Sequence, residues 1–218
     1  MKLAAAWVAV GLTVAVLLTY ELLLSAIQRR QPQALARSAH ASLRLDWFEA
    51  VSAQKGSEIL AVQTLRNSLM SATMLASTAA LGLMGTVTLA APSLHTAFGE
   101  TLPGASWLGP KLVLEVVLLS LLITSLVSAV MSVRFYSHAS FIAAIPTEAP
   151  VRRRWERAEA AYVRKAGVLY SVSLRHLVFV VPVVAAQLSP FAGPVAAFAL
   201  VAVLLSFDRF AVGPTSEH

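Results

Sequence analysis

The chain has 218 residues, of which 57% are hydrophobic and 13% charged, whereas an ordinary soluble domain is about a quarter charged. That balance excludes a soluble globular protein and leaves too little polar material for an independent soluble domain, so one membrane domain over residues 1–218 is expected. The absence of cysteine excludes disulfides, thiolate metal sites and a cysteine nucleophile, while the net charge of +6 fits either nucleic acid or basic loops beside membrane spans, a choice that the distribution of charge decides.

A spanning helix needs about 20 mostly apolar residues, because only a helix or closed barrel satisfies its backbone without water. Residues 3–27 form the first such run. It is too long for a signal peptide, carries Tyr20 and Glu21 near its end and precedes no small-residue cleavage site, so it reads as a retained anchor. Next, Leu43, Trp47 and Val51 fall on one helical face with Phe48 beside them, while Arg44, Asp46 and Glu49 point elsewhere. That pattern predicts an amphipathic helix on the inner leaflet, ended or bent at Gly56. The second run, 68–90, carries Ser68, Ala72, Ala76 and Ala80 at every fourth position, followed by Gly82 and Gly85. Small stripes let helices approach closely in lipid, so a packing seam within the bundle is expected, with a subunit contact or pore lining as the alternative.

Residues 92–110, rich in Pro and Gly, predict an outer loop with Trp107 at the interface and His95 and Glu100 in solvent. After a third run at 112–133, Pro150 marks the start of an inner-loop helix in which Trp155, Ala158 and Tyr162 share a face. Its Arg152, Arg153 and Arg154 are candidates to hold anionic lipid, each basic residue contributing about 1 kcal/mol near such a surface; ordinary enrichment of cations beside spans explains them equally well. The last runs, 167–188 and 191–207, are separated by Ser189 and Pro190. They read as a tight hairpin, giving an all-α bundle of five spans, or four if this pair is one broken segment.

Lys and Arg mark the orientation. Arg29, Arg30, Arg37, Arg44, Lys55, Arg66, Arg134, Arg152, Arg153, Arg154, Arg157, Arg164, Lys165 and Arg209 lie on one side of the spans, and only Lys2 and Lys111 on the other. The N-terminus is therefore expected outside and the C-terminus in the cytoplasm. The positive charge is a topology signal, which sets nucleic acid aside as a partner and leaves the bilayer.

The stretches ILAVQTLRNSLMSATMLAST (59–78), RFYSHASFI (134–142) and SLRHLVFVVPVV (173–184) resemble the membrane-protein family catalogued as domain of unknown function 599. The resemblance spans most of the chain and implies a multi-span protein of a bacterial inner membrane or an organelle, with no activity attached.

Arg175 and His176 stand within the fourth span. A charge at that depth costs from about 2.5 kcal/mol upward and needs protein, water or a partner around it. Glu21 matches its depth better than Glu115, which lies near the outer surface. Arg66, Asn67, Arg134 and His138 fall in the same inner half, so Glu21, Arg66, Asn67, Arg134, His138, Arg175 and His176 are expected to form a polar network around a basic hollow facing the cytosol. The alternatives are an Arg175 that snorkels to the headgroups and a purely structural pair with Glu21. No Gly-rich phosphate loop, H-E-x-x-H or Ser-His-Asp set nominates an enzyme, and His138 and His176 differ too much in depth to nominate a haem, so no cofactor or metal is expected. Two functional classes follow: a homo-oligomeric channel or transport unit favouring anions, and a non-catalytic accessory subunit of a larger membrane complex.

Overall fold

The computed structural model describes residues 2–30, 43–44, 46–48, 50–51, 54–99 and 109–208. Among these residues the regular structure is helical throughout, with no strand. The long helices are α1 (Lys2–Arg30), α2 (Glu58–Gly99), α3 (Pro110–Ala143), α4 (Pro150–Leu188) and α5 (Ala192–Asp208). The first four are long and apolar enough to cross a membrane. The fifth has 17 residues, or about 26 Å at the α-helical rise, slightly less than the roughly 30 Å hydrocarbon layer.

Several boundaries differ from the sequence expectation, in each case because a helix continues through a supposed loop. Residues 92–99, expected in a loop, extend α2 straight through Pro92. The inner-loop helix and the fourth span are one helix of 39 residues, α4, which begins at Pro150 as expected and passes through Gly167 without a break. Gly167 is buried between neighbours and Pro92 lies on an exposed face. The final hairpin is two helices: Ser189 closes α4 in extended backbone, and Ala192 N–H donates to Ser189 O at 2.9 Å to start α5.

The helices lie side by side with α2 at one edge, packed chiefly on α3 and only lightly on α4, while α1 and α5 close the other edge. Interhelical bonds fix the register. Ser93 donates to Glu115 at one end of the antiparallel α2–α3 pair and Thr147, just beyond α3, donates to Glu58 at the other. Two cores result. Leu17, Tyr20, Leu118, Leu122, Phe179 and Val183 join α1, α3 and α4, with Ala197 of α5. At the basic end Phe48, Ala61, Leu65, Tyr136, Ala139 and Val163 form the second.

Phe48 in that second core revises the expected inner-leaflet helix. Among residues 43–51 Phe48 is buried while Leu43 is 62% exposed, so the apolar side facing the bundle is centred on Phe48 rather than on Leu43. Gly56 adopts a φ of +79°, a left-handed turn that suits glycine and redirects the chain into α2.

Candidate functional site

Arg175 projects from α4 toward α1, and its Nη1 lies 3.5 Å from Glu21 Oε2. The Arg175 side chain is only 10% exposed and Glu21 36%, so the cation is withdrawn from the surroundings and the acid reaches their edge. The guanidinium carbon also lies 5.7 Å from the centre of the Tyr20 ring, over which it can act as a cation–π partner. Tyr20 meets Phe179 edge to face with ring centres 6.0 Å apart. One turn of α4 and two residues of α1 thus hold the pair in an apolar, aromatic frame. His176, next in sequence, turns away: its Nδ1 lies 2.8 Å from Val172 O of its own helix, and its ring faces Phe179.

The remaining members of the expected network do not converge on this pair. Arg66 and Asn67 on α2 and Arg134 and His138 on α3 are exposed. His138 leans on Tyr162, and Phe135 stacks on the same ring with centres 5.8 Å apart. The expected single hollow is therefore corrected to two features: an isolated Arg175–Glu21 pair facing α1, and an exposed basic rim at the ends of α2 and α3. The reason is angular. Depth along a helix can be counted from sequence, but the direction of each side chain depends on which neighbour the helix meets, and α3 separates α2 from α1.

The small-residue seam is corrected in the same way. On α2 the buried positions are Ala61, Leu65, Ala72, Leu75, Ala79 and Ala90, with Ser68 half-buried. Through Ala79 they advance by alternating steps of four and three, apart from a missed step between Leu65 and Ala72 that Ser68 fills. Steps of four alone drift by about 40° each on an α-helix, so Ala76 and Ala80 of the expected stripe fall to the half-buried flank. The richer seam is on α3, where Ser125, Ala129, Ser132, Tyr136, Ala139 and Ala143 repeat at a strict four-three spacing and are all buried. There Ser125 Oγ donates to Ser173 O at 2.9 Å and Ser173 Oγ donates to Ser125 O at 2.7 Å. One layer toward the basic end, Ser132 Oγ donates to Ala166 O at 2.9 Å. Hydroxyls in such a seam join helices through bonds that the bilayer cannot offer.

Arg152, grouped by sequence with Arg153 and Arg154, is also reassigned. It is 5% exposed, and its Nη1 donates to Ile142 O at 2.7 Å and Ile145 O at 3.2 Å, covering carbonyls at the C-terminal end of α3. Arg153 and Arg154 are exposed on the far side of α4. Trp155, expected to share a face with Ala158 and Tyr162, is 44% exposed, and the buried face of the α4 extension runs through Arg152, Glu159, Val163 and Ala166.

Two further polar features carried no clear sequence signal. Arg44 enters the bundle at the basic end: its guanidinium lies against Gly167, and it bonds the Tyr136 hydroxyl, which also bonds Ser68. The outer face of α2 is the second. Asn67, Ser71, Thr78, Gly85 and Thr88 are exposed along it, in one stripe with the exposed Met74 and Leu81. The hydroxyls of Ser71, Thr78 and Thr88 return bonds to carbonyls four residues earlier, as isolated hydroxyls in hydrocarbon do. Asn67 has two amide donors that no such return bond satisfies. A groove of about 410 Å³ between α1 and α5 is lined by residues such as Leu12, Val16, Leu24, Phe198 and Leu205 and is apolar, so it supplies no polar path.

No group of three His, Asp or Glu side chains among the described residues is arranged to hold a metal ion. No curated protein and no solved structure shows significant similarity to the chain. The model of one family, described as a protein of unknown function, DUF599, matches residues 8–212. The stretches that carry the resemblance all lie inside that match, and the chain belongs to the DUF599 family of proteins of unknown function.

Proposed function

We propose that the protein is a homo-oligomeric channel or transport unit of a bacterial inner membrane, in which copies meet along the outer face of α2 and the basic rim faces the cytosol and favours anions. The observation that carries this reading is the run of small and polar side chains exposed on α2, in a stripe that also includes the apolar Met74 and Leu81. Asn67, Ser71, Thr78, Gly85 and Thr88 are poor partners for acyl chains and good ones for another helix or a hydrated path. Arg66 and Asn67 stand at the basic end of that face, and Arg134 and His138 are exposed at the corresponding end of α3. Brought together around a symmetry axis, these side chains form a ring of positive charge at the cytosolic mouth. Within one protomer the small-residue seams pack closed, so the path lies between copies.

The chain has no cysteine, so single introduced cysteines test the arrangement directly. Thr78→Cys should form a disulfide-linked dimer under mild oxidation in membranes, and Val181→Cys, 59% exposed on α4 at its native residue, should not. Proteoliposomes of the native chain should pass small anions faster than cations, and Arg66→Gln should reduce that preference. No self-linkage at Thr78 together with no flux refutes the reading. An accessory subunit in a larger complex is the second reading, favoured by the same face if a different protein covers it; purification at a fixed ratio with that protein would replace the first reading with the second.

A further inference from the structure

Where α3 ends and α4 begins, a carboxyl is shut away without the donors that a carboxylate needs. Glu159 is completely buried, and neither of its side-chain oxygens has a hydrogen-bond partner. Its neighbour Arg152 approaches to 3.2 Å, Nη2 to Oε2, yet spends its other terminal nitrogen on the carbonyls of Ile142 and Ile145. This lies in the first part of α4, among Arg153, Arg154, Glu156 and Arg157, well before the apolar stretch that starts near Gly167. The site is therefore outside the bilayer.

We propose that Glu159 is a proton-operated latch on the turn that joins α3 to α4. Protonated, the carboxyl stays packed beneath Arg152, which holds the end of α3 and keeps the turn closed. Ionised, the carboxylate has only the 3.2 Å approach of Arg152 and no hydrogen bond in the closed geometry, and opening of the turn supplies water. The proposal stands apart from the reading of α2 as an oligomer face.

The charges around the site set the direction. On its own helix Glu159 faces Arg152, which favours ionisation, and Glu156, which opposes it. From the end of α3 come the Ile142 and Ile145 carbonyls, which face Arg152. From the start of α2, Glu58 acts on Arg152 and is itself held by the Thr147 amide and hydroxyl, each at 2.9 Å. Lys55 pairs with Glu148 on the exposed side of the turn. Burial outweighs the attraction of Arg152 and pushes the Glu159 carboxyl up to about 7 from an ordinary value of 4.5. A carboxyl with a raised value in the closed state favours that state fully below its ordinary value. The preference is lost as pH rises and is gone once pH passes the raised value.

Amide hydrogen exchange of the full chain in nanodiscs, corrected for the intrinsic pH dependence of exchange, tests the latch. Protection of the amides between Ile142 and Arg152 should fall by up to about tenfold per pH unit from pH 5 and level off near pH 7, the slope of one linked proton. Glu159→Gln, a neutral mimic, should remove the slope. Glu156→Gln, made at an exposed position, leaves the buried carboxyl in place and should move the levelling-off to lower pH. Flat protection in the native chain between pH 5 and pH 8 overturns the proposal. So does an unchanged slope in Glu159→Gln or, if that variant does not fold, an unchanged profile in Glu156→Gln.

Discussion

Replacing Gly167 by alanine should loosen the basic end of the bundle, and the structure shows how. A Cβ built on Gly167 comes within 1.6 Å of Arg44 Nη1 and 2.8 Å of its Cζ. Both cannot stay. The obstructing atoms are the far end of a long side chain, so Arg44 withdraws more cheaply than α4 shifts. What is lost is its bond to the Tyr136 hydroxyl, a charged hydrogen bond in a buried setting that contributes about 1.5–3 kcal/mol. Against this, alanine is the better helix former by about 1 kcal/mol. The net is a destabilisation of about 0.5–2 kcal/mol, which titration with a denaturing detergent can resolve. The sign of the same substitution in an Arg44→Ala background is the decisive measurement. With the guanidinium gone, nothing obstructs the new methyl and only the helix-propensity gain remains, so Gly167→Ala should become neutral or stabilising by up to about 1 kcal/mol. If it destabilises equally in both backgrounds, Arg44 does not occupy the cleft and the reasoning fails.

Other outcomes follow from equally local contacts. A Cβ on Gly193 would stand 2.6 Å from both Ala186 Cβ and Thr13 Oγ1 and 3.2 Å from Ala186 Cα; with a main-chain atom among them no side chain can yield, so Gly193→Ala should cost about 1–3 kcal/mol by overpacking and lower the midpoint of detergent unfolding. Ser125→Ala and Ser173→Ala each remove one of the two bonds to a backbone carbonyl together with the 3.0 Å contact between the hydroxyls, and a double-mutant cycle, which reads only that hydroxyl contact, should give a coupling of up to about 0.6 kcal/mol, the usual size for such bonds in membrane bundles; additive losses would show that the hydroxyls bond the carbonyls alone. Thr147 holds the Glu58 carboxyl below the usual carboxylate range, so its contribution is present above the ordinary value and lost as pH falls through the lowered one. Glu58→Gln should flatten stability against pH on the acid side alone, leaving the opposite slope assigned to Glu159 in place. Finally, Glu21→Gln leaves the nine-tenths-buried Arg175 without its counter-charge and should destabilise more than the pair replacement Glu21→Gln with Arg175→Met, since breaking one partner of a buried pair costs more than removing both.

Much of the fold was legible because membrane spans obey a constraint on composition that needs no knowledge of neighbours. The apolar runs fall within the helices, Pro150 opens α4, Gly56 turns the chain, and the final hairpin is two helices. Helix ends were less legible: the extension 150–166 reads as a helix of its own beside the span when hydropathy is the guide, although its backbone bonds continue unbroken through α4. At the candidate site, the depth match that singled out Glu21 for Arg175 agrees with their 3.5 Å approach. Arg66, Asn67, Arg134 and His138 matched in depth but not in direction, since depth is a property of one helix and direction a property of the contact. The α3 seam could have been found by testing the four-three spacing of Ser125, Ala129, Ser132, Ala139 and Ala143 rather than a spacing of four. Nothing in the pattern around Arg44 distinguishes a side chain that enters the bundle from one that faces solvent.

The placement of polar groups also limits where function can reside. Inside the protomer, hydroxyls are spent on helix joints at Ser125, Ser132 and Ser173, and the one cation of the fourth span is matched by Glu21 beside an aromatic ring. Such bonds hold a bundle shut, because opening any of them leaves a polar group in hydrocarbon with no water to replace the partner. On the outside, the exposed side of α2 carries Asn67, Ser71, Thr78, Gly85 and Thr88 in a stripe that also includes the apolar Met74 and Leu81. A helix that kept this face in lipid would gain nothing from Asn67, which finds no intrahelical return bond of the kind that Ser71, Thr78 and Thr88 make. Among the described residues that side of α2 also has no helix of the same chain packed against it, which is why the proposed contact between copies is placed there.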